Sequence, residues 1–284
     1  MKISLGGKAV ASDLCEKLHD DVKLLREHGI MPTLAIVRVG EREADLAYER
    51  GATKRCESVG ISVKKFAFES NAAQSEIIDL VKKINADDSI HGCLVLLPMP
   101  KHIDEKAVRE ALAPEKDVDG ITEGSQCGVF ANTGVGFPPC TAAACMAILD
   151  FYKIPIEGKR CVVVGRSLVV GRPVAMMLLA RNGTVTICHT KTRKLTKITH
   201  KADILVAAAG RMGVITDECL SKHQTLIDVG IHFENGKLRG DVSPDDLEIP
   251  YAATPVPNGV GAVTSSILAS HVVEAAKKRL SLGE

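Results

Sequence analysis

The chain has 284 residues, a formal charge of +1, 45% apolar and 25% charged residues, which suits one large or two modest domains of an ordinary soluble globular protein. So balanced a charge argues against nucleic-acid and membrane-surface partners, and 3% aromatics without a tryptophan leave little for stacking on bases. There is no apolar run of about 18 residues, no signal-peptide pattern at Met1-Lys-Ile-Ser, no zinc spacing, and nine scattered cysteines without a CxxC pair, so reduced thiols, a cytoplasmic location and no metal are expected.

Ala9 to His28 carries Val10, Leu14, Leu18, Val22 and Leu25 at the spacing of an amphipathic helix. Thr33 to Val39 reads as a strand, Glu43 to Ser58 as a helix stopped before Gly60, and Ile61 to Phe68 as a strand. Gln74 to Ile84 follows as a helix, then Cys93 to Leu97 as a buried strand ended by Pro98-Met-Pro100. Pro138-Pro-Cys-Thr141 breaks the chain before an alanine-rich helix over Ala142 to Leu149, and a lobe boundary is expected there. Ser265 to Leu280 reads as a last helix with no strand after it, expected to pack back on the first lobe.

The second half carries the more telling pattern. Arg160-Cys-Val-Val-Val-Gly165 is a β-branched run ending in glycine. Arg166 and Ser167 form a polar turn, and Gly171 opens a helix through Val174 to Ala180. That is the strand, turn and helix start at which a dinucleotide fold holds a pyrophosphate, although the middle glycine of the three-glycine fingerprint is missing. The next strand starts at Thr184, about 20 residues after Gly165, where ribose recognition falls. It ends in His189, Thr190 and Lys191, with no carboxylate. A cationic, hydroxyl-rich pocket with Arg166 nearby suits a 2′-phosphate, so NADP is expected over NAD; the alternative is that Lys191 and Arg193 merely solvate a loop. Ala202 to Gly210 and Thr225 to Ile231 complete four runs of a parallel sheet. Ligands lie beyond the carboxyl ends of such strands, which makes Gly210, Arg211, Asp228, Gly230 and Ile231 candidates. Asp228 reads equally well as a cap for neighbouring backbone N–H groups.

Four stretches, in the same order and across essentially the whole chain, resemble the methylenetetrahydrofolate dehydrogenase/cyclohydrolase family. They are Pro114-Glu-Lys-Asp-Val-Asp-Gly120, Pro139-Cys-Thr141, Val163 to Ser167 with Val170 to Pro173, and Thr254-Pro-Val-Pro-Asn-Gly-Val-Gly261. The resemblance implies a tetrahydrofolate substrate in a cleft between the lobes, NADP on the second lobe, no metal and a homodimer. It implies removal of hydride from a methylene carbon, then hydrolysis of the methenyl product to a formyl group. Asp119 would hold the pterin, with a plain turn residue as the alternative. The loop containing Pro257 and Gly261 would wall the site, and Asn258 and Ala262 depart from the family's glycine and proline there.

The first lobe departs further. Tyr48 matches the family's tyrosine, but the lysine expected four residues later is Ala52; Lys54, six residues on, faces elsewhere on a helix. Leu96 replaces a glutamine in Val95-Leu-Leu-Pro98, and Asp45 replaces a serine. Without the lysine, a glutamine at 96 would lack its partner, so leucine is tolerated. Hydrolysis needs a general acid–base group, worth about 10²–10⁴ in rate, whereas hydride transfer needs no proton relay. The expected fold is α/β in two lobes, with residues 1–138 plus 265–284 binding folate and 139–264 a Rossmann-like NADP domain. The expected function is an NADP-dependent methylenetetrahydrofolate dehydrogenase of weak or absent cyclohydrolase activity. A fully bifunctional enzyme and a non-catalytic folate or dinucleotide regulator remain the alternatives.

Overall fold

The computed structural model describes residues 3–234, 236–243 and 246–281. The chain divides into two bodies, Asp13–Cys140 with Ser265–Glu284, and Met1–Ser12 with Thr141–Thr264. The chain opens with β1 (Ile3–Ser4), which belongs to the second body, and α1 (Gly7–Glu27).

The first body is built on a three-stranded parallel sheet. β2 (Thr33–Val39) runs between β3 (Ser62–Phe68) and β4 (Gly92–Val95), and α2 (Glu43–Ser58) and α3 (Gln74–Ala86) are the crossovers. β2 is apolar from Leu34 to Val37 and again at Val39, as a central strand covered on both faces requires. Ile77, Val81 and Ile84 of α3 share one helical face and pack with Ala35, Val37 and Val39 of β2. α4 (Glu105–Ala111) and α5 (Glu123–Ala131) follow. They start where Asp104 and Thr122 accept hydrogen bonds from first-turn N–H groups. The last helix, α9 (Thr264–Ser281), returns to this body as expected. Its Lys277 Nζ lies 2.5 Å from Asp21 Oδ1 of α1, and Arg279 pairs with Asp88.

The second body follows α6 (Cys140–Phe151) with β5 (Arg160–Val164), α7 (Gly171–Ala180), β6 (Thr184–Cys188), α8 (Leu195–Thr199), β7 (Ile204–Ala207) and β8 (Thr225–Asp228). An antiparallel hairpin of β9 (His232–Glu234) and β10 (Lys237–Arg239) precedes β11 (Ala252–Ala253). The sheet order among the described residues is β1-β11-β8-β7-β5-β6, all parallel. The order reverses at β5, with β6 on one side and β7 on the other, which makes the carboxyl ends of β5 and β7 a topological switch point.

The four expected strands are present, and two two-residue strands extend the sheet. β1 pairs with β11, Ile3 opposite Ala252. Residues 3–12, expected in the first lobe, group with Thr141–Thr264, and the two compact bodies meet between Cys140 and Thr141, two residues past the expected boundary. The physical reason is the unpaired edge of β11, whose hydrogen-bonding groups are satisfied by the chain's first strand.

Candidate active site and dinucleotide turn

In the first body, three elements bring Tyr48, Leu96 and Asp119 into play. Tyr48 is half-buried on α2. One turn later Ala52 is fully buried, while Lys54 is exposed. Leu96 is buried just past β4, where its N–H still donates to Val37 O at 2.9 Å. Asp45, one turn before Tyr48, is buried and already engaged. Arg42 donates to its two carboxylate oxygens through Nε at 2.8 Å and NH2 at 2.5 Å.

The turn that carries Asp119 is fixed by its neighbours. Lys116 is buried and its Nζ donates to Ile84 O at 2.5 Å and Asp87 O at 2.6 Å. Asp117 has no exposed surface and accepts from Ile121 N at 3.0 Å and Thr122 N at 2.8 Å. Capping therefore falls to Asp117, and Asp119 is free of that role. Gly120 has φ +66°, and a Cβ there would strike the backbone of Phe137 to Pro139. Cys140 and His271 support the turn from beneath: both contact Val118 O, Cys140 Sγ at 3.2 Å and His271 Nδ1 at 2.8 Å.

The electrostatics follow from burial. Burial pushes the Asp119 carboxyl up to about 6, opposed by a hydrogen bond from Cys140 and assisted by the nearby Asp117 charge. Burial holds the Tyr48 phenol well above its ordinary range. The Asp119 carboxylate and the Cys140 and Cys56 thiols act in the same direction. The largest influences on the phenol all act upward.

In the second body, Gly165 has φ +141° and sits where a Cβ would strike Ala208 O, and a Cβ on Gly171 would strike Gly165 O. The two glycines bring the end of β5, the end of β7 and the start of α7 into backbone contact. Ser167 Oγ accepts from Val170 N at 3.1 Å and Gly171 N at 3.3 Å. The first amides of α7, expected to face a pyrophosphate, are thus taken by the serine. The amides of Arg166, Ser167, Leu168 and Val169 enter no backbone hydrogen bond among the described residues, and all four residues are exposed. This donor set, with the Arg166 guanidinium, fits the phosphates of a dinucleotide.

Beyond β6 the chain folds back on itself. His189 N donates to Thr192 Oγ1 at 2.8 Å and Lys191 N to His189 Nδ1 at 3.1 Å, leaving Thr190 and Lys191 exposed. Gly210, with φ +64° and open space around it, lies in the loop three residues past β7. Ile231 lines a cavity of about 200 Å³ together with Pro257 and Gly261. Pro257 and Gly261, which the resemblance gave to the substrate, therefore share a wall with a cofactor candidate in the second body. Asp228 is fully buried and accepts from Gly230 N, Asp241 N and Val242 N at 3.0, 3.0 and 3.1 Å. Capping is its role. Sequence reasoning missed Asp241 and His232, because a buried carboxylate in a loop has no periodic signature.

Two family models match the chain. The catalytic domain of tetrahydrofolate dehydrogenase/cyclohydrolase matches residues 5–119, and the NAD(P)-binding domain of the same enzyme matches residues 139–280. The chain belongs to the tetrahydrofolate dehydrogenase/cyclohydrolase family. It is 47% identical to the "Bifunctional protein FolD" of Carboxydothermus hydrogenoformans over 275 residues, covering 95% of this chain and 96% of that protein. The crystal structure of the bifunctional FolD enzyme from Campylobacter jejuni superposes with a TM-score of 0.95 at 36% identity, over 98% of this chain and 100% of that one. The Trypanosoma brucei dehydrogenase-cyclohydrolase, solved with NADP and an inhibitor, superposes with a TM-score of 0.92 at 32% identity, over 98% of each chain. Among the described residues no helix is long and apolar enough to cross a membrane.

Proposed function

We propose that this chain oxidises 5,10-methylenetetrahydrofolate to the 5,10-methenyl compound with NADP as acceptor, and hydrolyses the product weakly or not at all. The observation that carries the second clause is the pair Tyr48 and Ala52. The residue one turn from the phenol is a buried methyl group, Lys54 is exposed, and burial holds the phenol above its ordinary range. Tyr48 is then a neutral phenol that orients substrate. It has no partner to help it move protons to and from an attacking water.

Hydride loss tolerates this. The methylene carbon lies between two nitrogens that share the developing positive charge, so the protein has mainly to position it. Asp119, anionic above its value of about 6, would accept hydrogen bonds from the pterin's N–H groups, held by the Asp117 cap and the Cys140 and His271 contacts. When bound, the nicotinamide supplies the hydride acceptor. Arg166, His189, Thr190 and Lys191 offer cations and hydroxyls and no carboxylate, which supports NADP over NAD, as does the NADP held by the trypanosomal relative.

The relatives' description as bifunctional favours a second reading, in which both activities persist. Following NADPH and the methenyl compound at two wavelengths separates the two. Accumulation of methenyltetrahydrofolate is expected, and hydrolysis as fast as formation would establish the second reading. We further propose a cytoplasmic homodimer. Phe233, 77% exposed on the β9–β10 hairpin, is an apolar side chain that a second copy would cover.

A further inference from the structure

Asp241 is the point on which the loop after β7 hangs. Its side chain has no exposed surface. Oδ2 accepts from Ala209 N at 2.6 Å and Gly210 N at 3.1 Å, and its own carbonyl accepts from Gly213 N at 3.2 Å. Its other oxygen, Oδ1, lies 2.8 Å from His232 Nε2 on the hairpin. A carboxylate only accepts, so the imidazole carries its proton on Nε2 and donates. Behind Asp241 stands Asp228, which takes the Asp241 N–H at 3.0 Å. The packing leaves no room for slack: a Cβ on Gly230 would strike Asp241, and one on Gly240 would strike Asp228. A buried carboxylate that serves two amides still has lone pairs to satisfy, and His232 is the side chain that satisfies them.

The loop so held begins at the switch point, beside the Gly165 turn, where Ala208 N donates to Val164 O at 2.8 Å. We propose that His232 is a positioning residue for the dinucleotide: by donating to Asp241 it fixes the Ala209–Gly213 loop in the shape the cofactor meets. This rests on the reading of the second body as the dinucleotide-binding domain. His232 itself is absent from the cavity formed by Ile231, Pro257 and Gly261, so its effect passes through Asp241.

The test compares His232→Ala with His232→Gln, whose amide can still donate to Asp241. NADPH affinity is measured by fluorescence titration, and hydrogen exchange at the Ala209 and Gly210 amides is measured without cofactor. Loss of one hydrogen bond to a buried charge predicts about a 10-fold weaker NADPH Kd in His232→Ala. The two amides should exchange faster, and KM for methylenetetrahydrofolate should be unchanged. His232→Gln should restore both within about 3-fold. Wild-type Kd and wild-type exchange in His232→Ala would overturn the proposal, as would an equal rise in the folate KM. If His232→Ala does not fold, Asp241→Asn carries the same test. It keeps an acceptor for the amides and removes the charge that strengthens the bond to the imidazole, so NADPH should weaken while the folate KM stays unchanged. If the unaltered protein binds no NADPH, the dinucleotide reading fails, and amide exchange in His232→Ala still decides whether the brace exists.

Discussion

Ala52 stands one helical turn beyond Tyr48 and is completely buried, so the methyl group occupies the place from which a longer side chain would reach the phenol. Leu96, 4% exposed, follows directly on β4 and stands where the family motif carries a glutamine. If these two residues remove the hydrolytic step, restoring them together should restore it. Ala52→Lys alone buries an ammonium beside a leucine, where desolvation lowers its pKa and destabilises the fold. Ala52→Lys with Leu96→Gln supplies the group and its partner. Asp45 is already clamped by Arg42, so Asp45→Ser is a third change of smaller expected effect. Cyclohydrolase rates in the double variant should exceed the product of the single effects and rise by about 10²-fold or more. Additive or absent gains would sink the idea.

Asp119 makes a pH prediction whose sign follows from its raised value. The carboxylate form is the one that accepts from a pterin, so kcat/KM for the folate should fall as pH drops through about 6. Asp119→Ala should cripple turnover while leaving NADPH binding intact. Stability runs the other way. A carboxyl whose folded pKa is raised contributes stability that is present below about pH 4, its ordinary range, and is lost as pH climbs through about 6. Asp119→Asn should therefore melt higher than wild type at pH 8, by about 1–3 kcal/mol, and lose that advantage at pH 4. Parallel melting curves at the two pH values would contradict this.

Arg166 is exposed in the turn after β5. If it reads a 2′-phosphate, Arg166→Ala should weaken NADP by about 10- to 100-fold, the worth of a charge-assisted contact, and NAD by far less. Equal losses for both cofactors would remove the arginine from phosphate recognition.

Gly240 has no space for a side chain, because the Asp228 carboxylate lies where its Cβ would be. Gly240→Ala should lower the unfolding free energy by about 3 kcal/mol through overpacking and displacement of the Asp228 cap. A denaturant midpoint within error of wild type would show that the brace is slack.

Much of the fold is legible because its core strands and long helices are strongly periodic. α2 matches its expected limits because apolar spacing and Gly60 bound it. β1 and β11 carry two residues each, too few for any period to show. α4 and α5 are short and polar, and Asp104 and Thr122 were the cues that could have marked them. The hairpin had its own signal, the Asn-Gly pair at 235–236 in the sequence. The site divides the same way. Tyr48, Ala52, Leu96 and Asp119 stand out against a family motif. Asp117's cap, the Cys140 and His271 contacts and the Asp241 brace arise from residues distant in sequence that meet only in the folded chain.

The pairing of Ile3–Ser4 with Ala252–Ala253 has a consequence for how the molecule is made. On a ribosome, the first strand emerges some 250 residues before its partner, and α1 emerges long before the α9 residues that bond to it. The second body cannot complete its ladder before Ala253 has been made, nor the first its helix layer before Lys277. A fragment cut at the Cys140–Thr141 division would leave the edge of β11 open and strip α9 from the other half. Such halves should aggregate when expressed alone and recover when coexpressed, because each carries a piece the other cannot fold without.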